Sequence, residues 1–371
     1  MSEKQIKNMI ADAFNDIADA LETGSFGKEP IIGVAAPGTE LGMDNIQRGI
    51  NLAAKKGYKA VIIDGENAHE KMDAMLAAGD IDAAVTMHYP FPIGVSTVGR
   101  VVTPAEGREM YLATTTGTSS TDRIEGMIKN TLYGIIAAKA TGVERPTVGI
   151  ANIDGARQTE KALLKLNENG YEINFATSSR ADGGIVMRGN DLLQATADVM
   201  VTDPLTGNLM MKIFSAYTTG GSYESTGFGY GPGIGENFDK IILIVSRASG
   251  APVIAGAIEY ASQLVKNQVL DVARKEFEQA NKAGLGKILQ EIKGSKKNEQ
   301  APKTVSAPPK EVVTHEIHGI EVIDLEDAAS ALWEKNIYAE TGMGCTGPVI
   351  LVSEPNSEAA KAVLTELDYI K

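Results

Sequence analysis

The sequence holds one cysteine, Cys345, among 371 residues. An intramolecular disulfide is therefore impossible, and the reducing cytoplasm is the expected setting. Aromatic residues make up only 5%, so the core must be assembled mostly from aliphatic side chains. No apolar run reaches the roughly 20 residues that cross a bilayer, and the first residues lack the pattern of a signal peptide. Cations are in the minority: 35 Lys and Arg against 48 Asp and Glu leave a net charge of −13. That balance argues against nucleic acid or an anionic membrane as the main partner. It does not exclude phosphate, because a phosphate site is built locally from backbone N–H groups and one or two cations. Two phosphate motifs are missing: no Gly-Lys-Ser/Thr closes a Walker A loop, and no G-x-G-x-x-G opens a helix in the first βαβ unit.

Glycine, by contrast, is abundant at 39 residues, and 43% of the chain is hydrophobic. This composition suits a sheet under Ala/Ile/Val-rich helices with many tight turns. Residues 1–22 place Ile6, Met9, Ile10, Phe14, Ile17 and Leu21 at helical spacing, which predicts an amphipathic packing helix. Two later segments start alike. Pro30–Ala35 and Pro146–Ala151 each read as a strand followed by a loop, a helix and a second strand (60–63 and 172–176). Further strands are expected at 83–87, 199–203 and 240–245. Strands alternating with amphipathic helices predict an α/β fold with parallel pairing. The expected organisation is a two-lobed body over 1–292, with lobes of roughly 1–145 and 146–292. A Lys/Ser/Pro-rich linker spans 293–310, and a small α/β module of βαβα character, 311–371, carries Cys345.

Ligands of open α/β sheets collect at the carboxyl ends of strands, so the loops after the strands are the places to look for chemistry. Asp203, Thr206, Gly207 and Asn208 follow one strand and begin a helix that contains Lys212, an arrangement suited to an anion. Ser246 and Arg247 follow another strand and add a hydroxyl and a fixed cation. The alternative for the first group is ordinary helix capping. In Gly342–Pro348, glycines surround Cys345, so the backbone can approach a substrate and offer N–H groups to a developing oxyanion. A small buried hydrophobe is the competing reading of that thiol. The stretch 218–235 is glycine-rich and reads either as a mobile substrate-covering loop or as an irregular connection. His88, at a strand end, reads either as an acid–base group or, the preferred reading, as a hydrogen-bonded structural histidine. His315 and His318 lie in a strand-like run on opposite faces, so no metal site is expected.

The run Gly189–Lys212 resembles the phosphate acyltransferases, which make acyl phosphates. The whole chain, through the Gly-rich motif around Cys345, is similar to the component C alpha subunits of glycine/sarcosine/betaine reductase complexes. The resemblance implies a two-lobed parallel-sheet body with a cleft between the lobes. It implies Cys345 as the acetyl-carrying catalytic residue, and Asp203, Thr206, Gly207, Asn208, Ser246 and Arg247 as phosphate and acyl binding residues. Acetyl phosphate would be released from the acetyl-cysteine thioester by inorganic phosphate, with no other cofactor. The implied partners are a component C beta subunit and a selenoprotein A carrying a carboxymethyl selenoether. Ordinary phosphate acyltransferases lack the linker and the Cys module. An eighteen-residue tether reaching about 20–25 Å would let that module act as a built-in acyl donor. Two other readings stay open: a general acyl-carrier-protein:phosphate acyltransferase of lipid synthesis, and a non-catalytic partner of the beta subunit.

Overall fold

The structure, a computed structural model, describes residues 29–180, 183–298, 305–320, 324–344, 347–367 and 369–370, together with Lys7, Phe14, Ile17 and Ala18. Those four positions apart, the expected N-terminal helix lies outside the described residues. The chain divides into two compact units, Met1–Ile292 and Lys293–Lys371.

The larger unit opens with β1 (Ile31–Ala35), α1 (Met43–Lys55), β2 (Lys59–Ile63), α2 (Ala68–Ala78) and β3 (Ala83–Thr86). A hairpin of β4 (Val95–Val102) and β5 (Glu109–Thr118) follows, then α3 (Arg123–Lys139), β6 (Thr147–Ala151) and α4 (Ala156–Glu168). After β7 (Asn174–Phe175) and β8 (Val186–Met187) come α5 (Gly189–Gln194), β9 (Val199–Val201) and α6 (Pro204–Ala216). The unit closes with β10 (Gly231–Ile234), β11 (Ile242–Ile244), α7 (Ala251–Lys266), α8 (Val269–Lys282) and the start of α9 (Leu285–Asn298). One sheet runs β2-β1-β3-β11-β10-β4-β5-β9-β6-β7, with β8 beside β6. Pairing is parallel except where β10 meets β11 and β4, and within the β4–β5 hairpin.

Strands such as Ile-Ile-Gly-Val-Ala of β1 are buried because helices cover both faces of a mostly parallel sheet. Ile32, Val34, Val85 and Leu243 join Ile46 and Ile50 of α1 and Ile254 and Ile258 of α7 in one apolar cluster. Helix α3 is buried along most of its length, as its Tyr-Gly-Ile-Ile-Ala-Ala run requires. Asp122 caps it by accepting from the Glu125 N–H at 2.9 Å.

Three expectations for this unit change. The lobes are not the sequential halves 1–145 and 146–292: β11, from late in the chain, pairs with β3, and β10 joins β11 to β4. The glycine-rich run 218–235 is not a loose cover, because Gly231–Ile234 is a fully buried strand in mid-sheet. Only glycine fits at its start, where φ is +86° and a Cβ would stand 1.7 Å from the Val98 carbonyl oxygen. Finally, α9 continues to Asn298, past the expected linker start at 293.

The smaller unit holds β12 (His315–Ile317), α10 (Leu325–Glu334), β13 (Ala339–Gly344), β14 (Gly347–Val352) and α11 (Ser357–Glu366). The sheet order is β12-β14-β13 and every pairing is antiparallel, which corrects the expected βαβα character. The difference is β13, a Gly-containing segment that pairs along β14 with Gly344 opposite Gly347. Ile317, Leu325, Leu332, Ile350, Val352 and Leu364 form its core. Among the described residues, no helix is long and apolar enough to cross a membrane.

Candidate functional site

Strand β11 is three buried aliphatic residues, and its end is a turn tied by its own hydroxyls. Ser249 Oγ accepts from the Ser246 N–H, and Ser246 Oγ accepts from the Ala248 N–H, both at 3.0 Å. The turn then runs into α7, whose first turn contains Pro252, a residue suited to that position. Around this turn lies a cavity of about 350 Å³, lined among others by Glu40, Thr116, Asn208, Lys212, Ser246 and Arg247. Among the described residues, neither the N–H nor the guanidinium of Arg247 has a protein partner. Lys212 also reaches the cavity, with 54% of its side chain exposed.

A buried carboxylate holds the two cationic elements in register. Glu224, only 3% exposed, accepts from the Tyr230 hydroxyl at 2.7 Å and from Ser249 Oγ at 2.8 Å. Lys212 Nζ lies 3.8 Å from the same carboxylate and 5.5 Å from the centre of the Tyr230 ring. The Glu224 N–H and carbonyl bond to Ala248 O and Gly250 N, at 2.9 and 2.7 Å. Burial, and next the Glu224 charge, push the Tyr230 hydroxyl far above the usual phenol range. Tyr230 therefore stays a neutral donor.

The sequence-predicted residues separate. Asn208, Ser246 and Arg247 come together on the cavity wall, and Asp203, Thr206 and Gly207 do not line it. Asp203 Oδ1 accepts from the N–H groups of Leu205 and Thr206, both at 2.9 Å, and its Oδ2 accepts from Thr206 Oγ1 at 2.9 Å. The Gly207 N–H goes to the Asp203 carbonyl at 3.0 Å. Pro204 has no N–H, so the first donors of α6 are already used. Gly207 is fixed by packing, since a Cβ there would lie 1.7 Å from the Thr114 carbonyl oxygen of β5. That contact lets α6 sit close enough for Asn208 Nδ2 to donate to Thr115 O at 3.0 Å. Asp191, earlier in the same motif, accepts from the N–H groups of Ser179 and Arg188 and from the Ser178 and Ser179 hydroxyls, all at 2.8 Å.

His88 is exposed and does not line the cavity; its carbonyl accepts from Thr86 Oγ1 at 3.1 Å. Cys345 lies outside the described residues, between Gly344 of β13 and Gly347 of β14 in the chain. Sequence reasoning missed Glu40, Thr116, Glu224 and Tyr230. Glu40 could have been found by the strand-end rule, since Pro37–Glu40 directly follows β1. Nothing in the glycine-rich run marked Glu224 as buried. A second groove, about 650 Å³, runs between α1 and the start of α7, lined by Arg48, Lys55 and Tyr223 among others. It holds none of the predicted residues.

A strand-end turn with an unpartnered cation, and a helix that brings a second cation to the same cavity, is an arrangement suited to an oxyanion. The chain belongs to the family described as "Fatty acid synthesis protein", whose profile matches residues 24–351. It is 54% identical over 381 aligned residues to the glycine/sarcosine/betaine reductase complex component C subunit alpha of Peptoclostridium acidaminophilum, covering 98% of this chain and 99% of that one. Phosphate acyltransferases match less: 29% identity for that of Geobacillus sp. (strain WCH70) and 27% for that of Bacillus subtilis (strain 168). In both cases 43% of this chain aligns with 48% of the relative. The 4-hydroxythreonine-4-phosphate dehydrogenase of Klebsiella pneumoniae aligns with 65% of this chain and 99% of its own at 11% identity. Its TM-score of 0.34 is too low to bear on the site.

Proposed function

We propose that this protein is an acyltransferase subunit of a reductase complex, and that it moves an acetyl group from a Cys345 thioester to inorganic phosphate. The observation that carries the proposal is the cavity, where Arg247 offers an unpartnered guanidinium and N–H beside Lys212, Asn208 and Ser246. The names of the relatives supply the class of chemistry: one is a component of a multi-subunit reductase, and the others are phosphate acyltransferases. On this proposal a phosphate oxygen attacks the thioester carbonyl, the carbon–sulfur bond breaks, and the proton of hydrogen phosphate ends on the sulfur. Acetyl phosphate leaves and Cys345 is again a thiol. Sulfur suits the task because a thiolate is a much better leaving group than an alkoxide. The proposed partners are the component C beta subunit and the selenoprotein A that delivers the carboxymethyl selenoether.

The test is mass spectrometry of the chain during turnover by the assembled complex. An acetyl adduct on Cys345 should build up without phosphate and disappear, with release of acetyl phosphate, when phosphate is added. Cys345→Ser should keep the melting temperature and lose acetyl phosphate formation. Full turnover by Cys345→Ser would remove the covalent step.

A further inference from the structure

The same cavity sets a carboxylate beside its cations. Glu40, in the loop after β1, lines it together with Lys212 and Arg247. The Glu40 N–H donates to the Arg247 carbonyl at 2.9 Å, which ties this loop to the turn after β11. Among the described residues, the Glu40 carboxylate has neither a hydrogen-bond nor an ion-pair partner. Glu224 differs, because its oxygens are taken by Tyr230 and Ser249 and it is buried. The cavity therefore presents two cations and one carboxylate that is free to face a ligand.

A carboxylate can only accept hydrogen bonds when ionised. Facing a fully ionised oxyanion, it repels the ligand and leaves its own lone pairs unmatched. Facing an oxyanion that still carries an acidic hydroxyl, it accepts a charge-assisted hydrogen bond. At neutral pH phosphate and arsenate keep at least one such hydroxyl, and sulfate keeps none. A site that includes a carboxylate thus rejects sulfate by an unfavourable contact and not by shape.

We propose that Glu40 is the specificity residue of the cavity: it accepts the hydroxyl of a protonated tetrahedral oxyanion and excludes sulfate. This rests on the reading of the cavity as the phosphate site, and adds which form of the anion it takes. With the protonated oxygen held at Glu40, the ionised oxygens of phosphate, its better nucleophiles, are left toward Arg247, Lys212 and Asn208.

The test is calorimetric titration of the full chain with inorganic phosphate, arsenate and sulfate at neutral pH. Phosphate and arsenate should bind alike, and sulfate roughly tenfold more weakly or worse, the size expected for losing one charged hydrogen bond. Glu40→Gln should bring the three affinities together, chiefly by improving sulfate, since an uncharged amide can also donate. Glu40→Asp should keep the discrimination. Equal binding of phosphate and sulfate by the native chain would overturn the role of Glu40 and leave the phosphate site standing. So would an unchanged ratio in a Glu40→Gln variant of native melting temperature. A chain that binds none of the three would remove both inferences.

Discussion

At the head of α6 and in the turn after β11 the chain does similar things in the same order. A buried strand ends, a side-chain oxygen bends the backbone, and a helix follows. The outcomes differ in where the N–H groups go. At α6 the Asp203 carboxylate takes two of them and the Thr206 hydroxyl, so it is itself the anion at the helix end. After β11 the oxygens in the turn are neutral hydroxyls, and among the described residues the Arg247 N–H is left without a partner. A helix or strand end attracts anions only to the extent that the chain has not already supplied one.

The largest way to break this contrast is Gly207→Ala, which drives a methyl group into the Thr114 carbonyl of β5 and lifts α6 away from the sheet. A loss of about 3 kcal/mol, at the upper end for overpacking, is expected in chemical denaturation. A loss under about 1 kcal/mol would show that α6 slides freely and that the close approach is not needed. Next comes Arg247→Ala, which should weaken phosphate by about 1.5–3 kcal/mol in titration while the melting temperature holds. Arg247→Lys should recover only part of that, because an ammonium lacks the planar fork. Asp203→Ala is the mirror case. It should cost about 1 kcal/mol of stability through the lost cap, with phosphate affected far less than in Arg247→Ala. Equal phosphate losses in the two variants would erase the distinction between the turns.

A comparison read only in acid concerns Asp191. Burial alone would raise its pKa, but donors from Arg188, Ser179 and Ser178 outweigh that and hold the carboxyl down to about 2. Its unfolded value is near 3.9, so its contribution is complete above that pH and fades as pH falls toward 2. Denaturant midpoints measured from pH 5 downward should fall more steeply for the native chain than for Asp191→Asn. Parallel acid limbs would mean that the carboxyl is not held.

Strands β1, β2, β3, β6 and β11 were legible because each is an apolar run bounded by turn residues. The β4–β5 hairpin was not, since Val-Ser-Thr-Val-Gly-Arg-Val-Val and Ala-Thr-Thr-Thr-Gly-Thr mix buried hydroxyls with apolar positions. Thr97, Thr114 and Thr115 are each fully buried, and hydrogen bonds to β4, β5 and Tyr230 make that possible. Strand β10 was hidden for a different reason: its Gly-Pro-Gly-Ile reads as a turn, and the positive φ and the crowding against Val98 that call for Gly231 appear only in the fold. On the cavity wall, Asn208, Ser246 and Arg247 could be picked out from their places after strands. Asp203, Thr206 and Gly207 satisfied the same rule and do other work, because local pattern cannot show which donors a chain has already used. Glu224 could not be found at all, since its importance comes from contacts with Lys212, Tyr230 and Ser249, which only the folded sheet brings together.

The position of β10 and β11 in mid-sheet also fixes an order of assembly. As the chain leaves the ribosome from its N-terminus, β3 and β4 are made long before the strands that will lie between them. Until β10 and β11 emerge, the growing chain carries two unpaired strand edges with apolar faces, where a second nascent chain could add its own strand. A peptide ending before β10 cannot close that gap, so a fragment of residues 1–230 should be recovered as aggregate and not as a folded piece. The cavity bordered by the turn after β11 can exist only once the sheet has been completed from within.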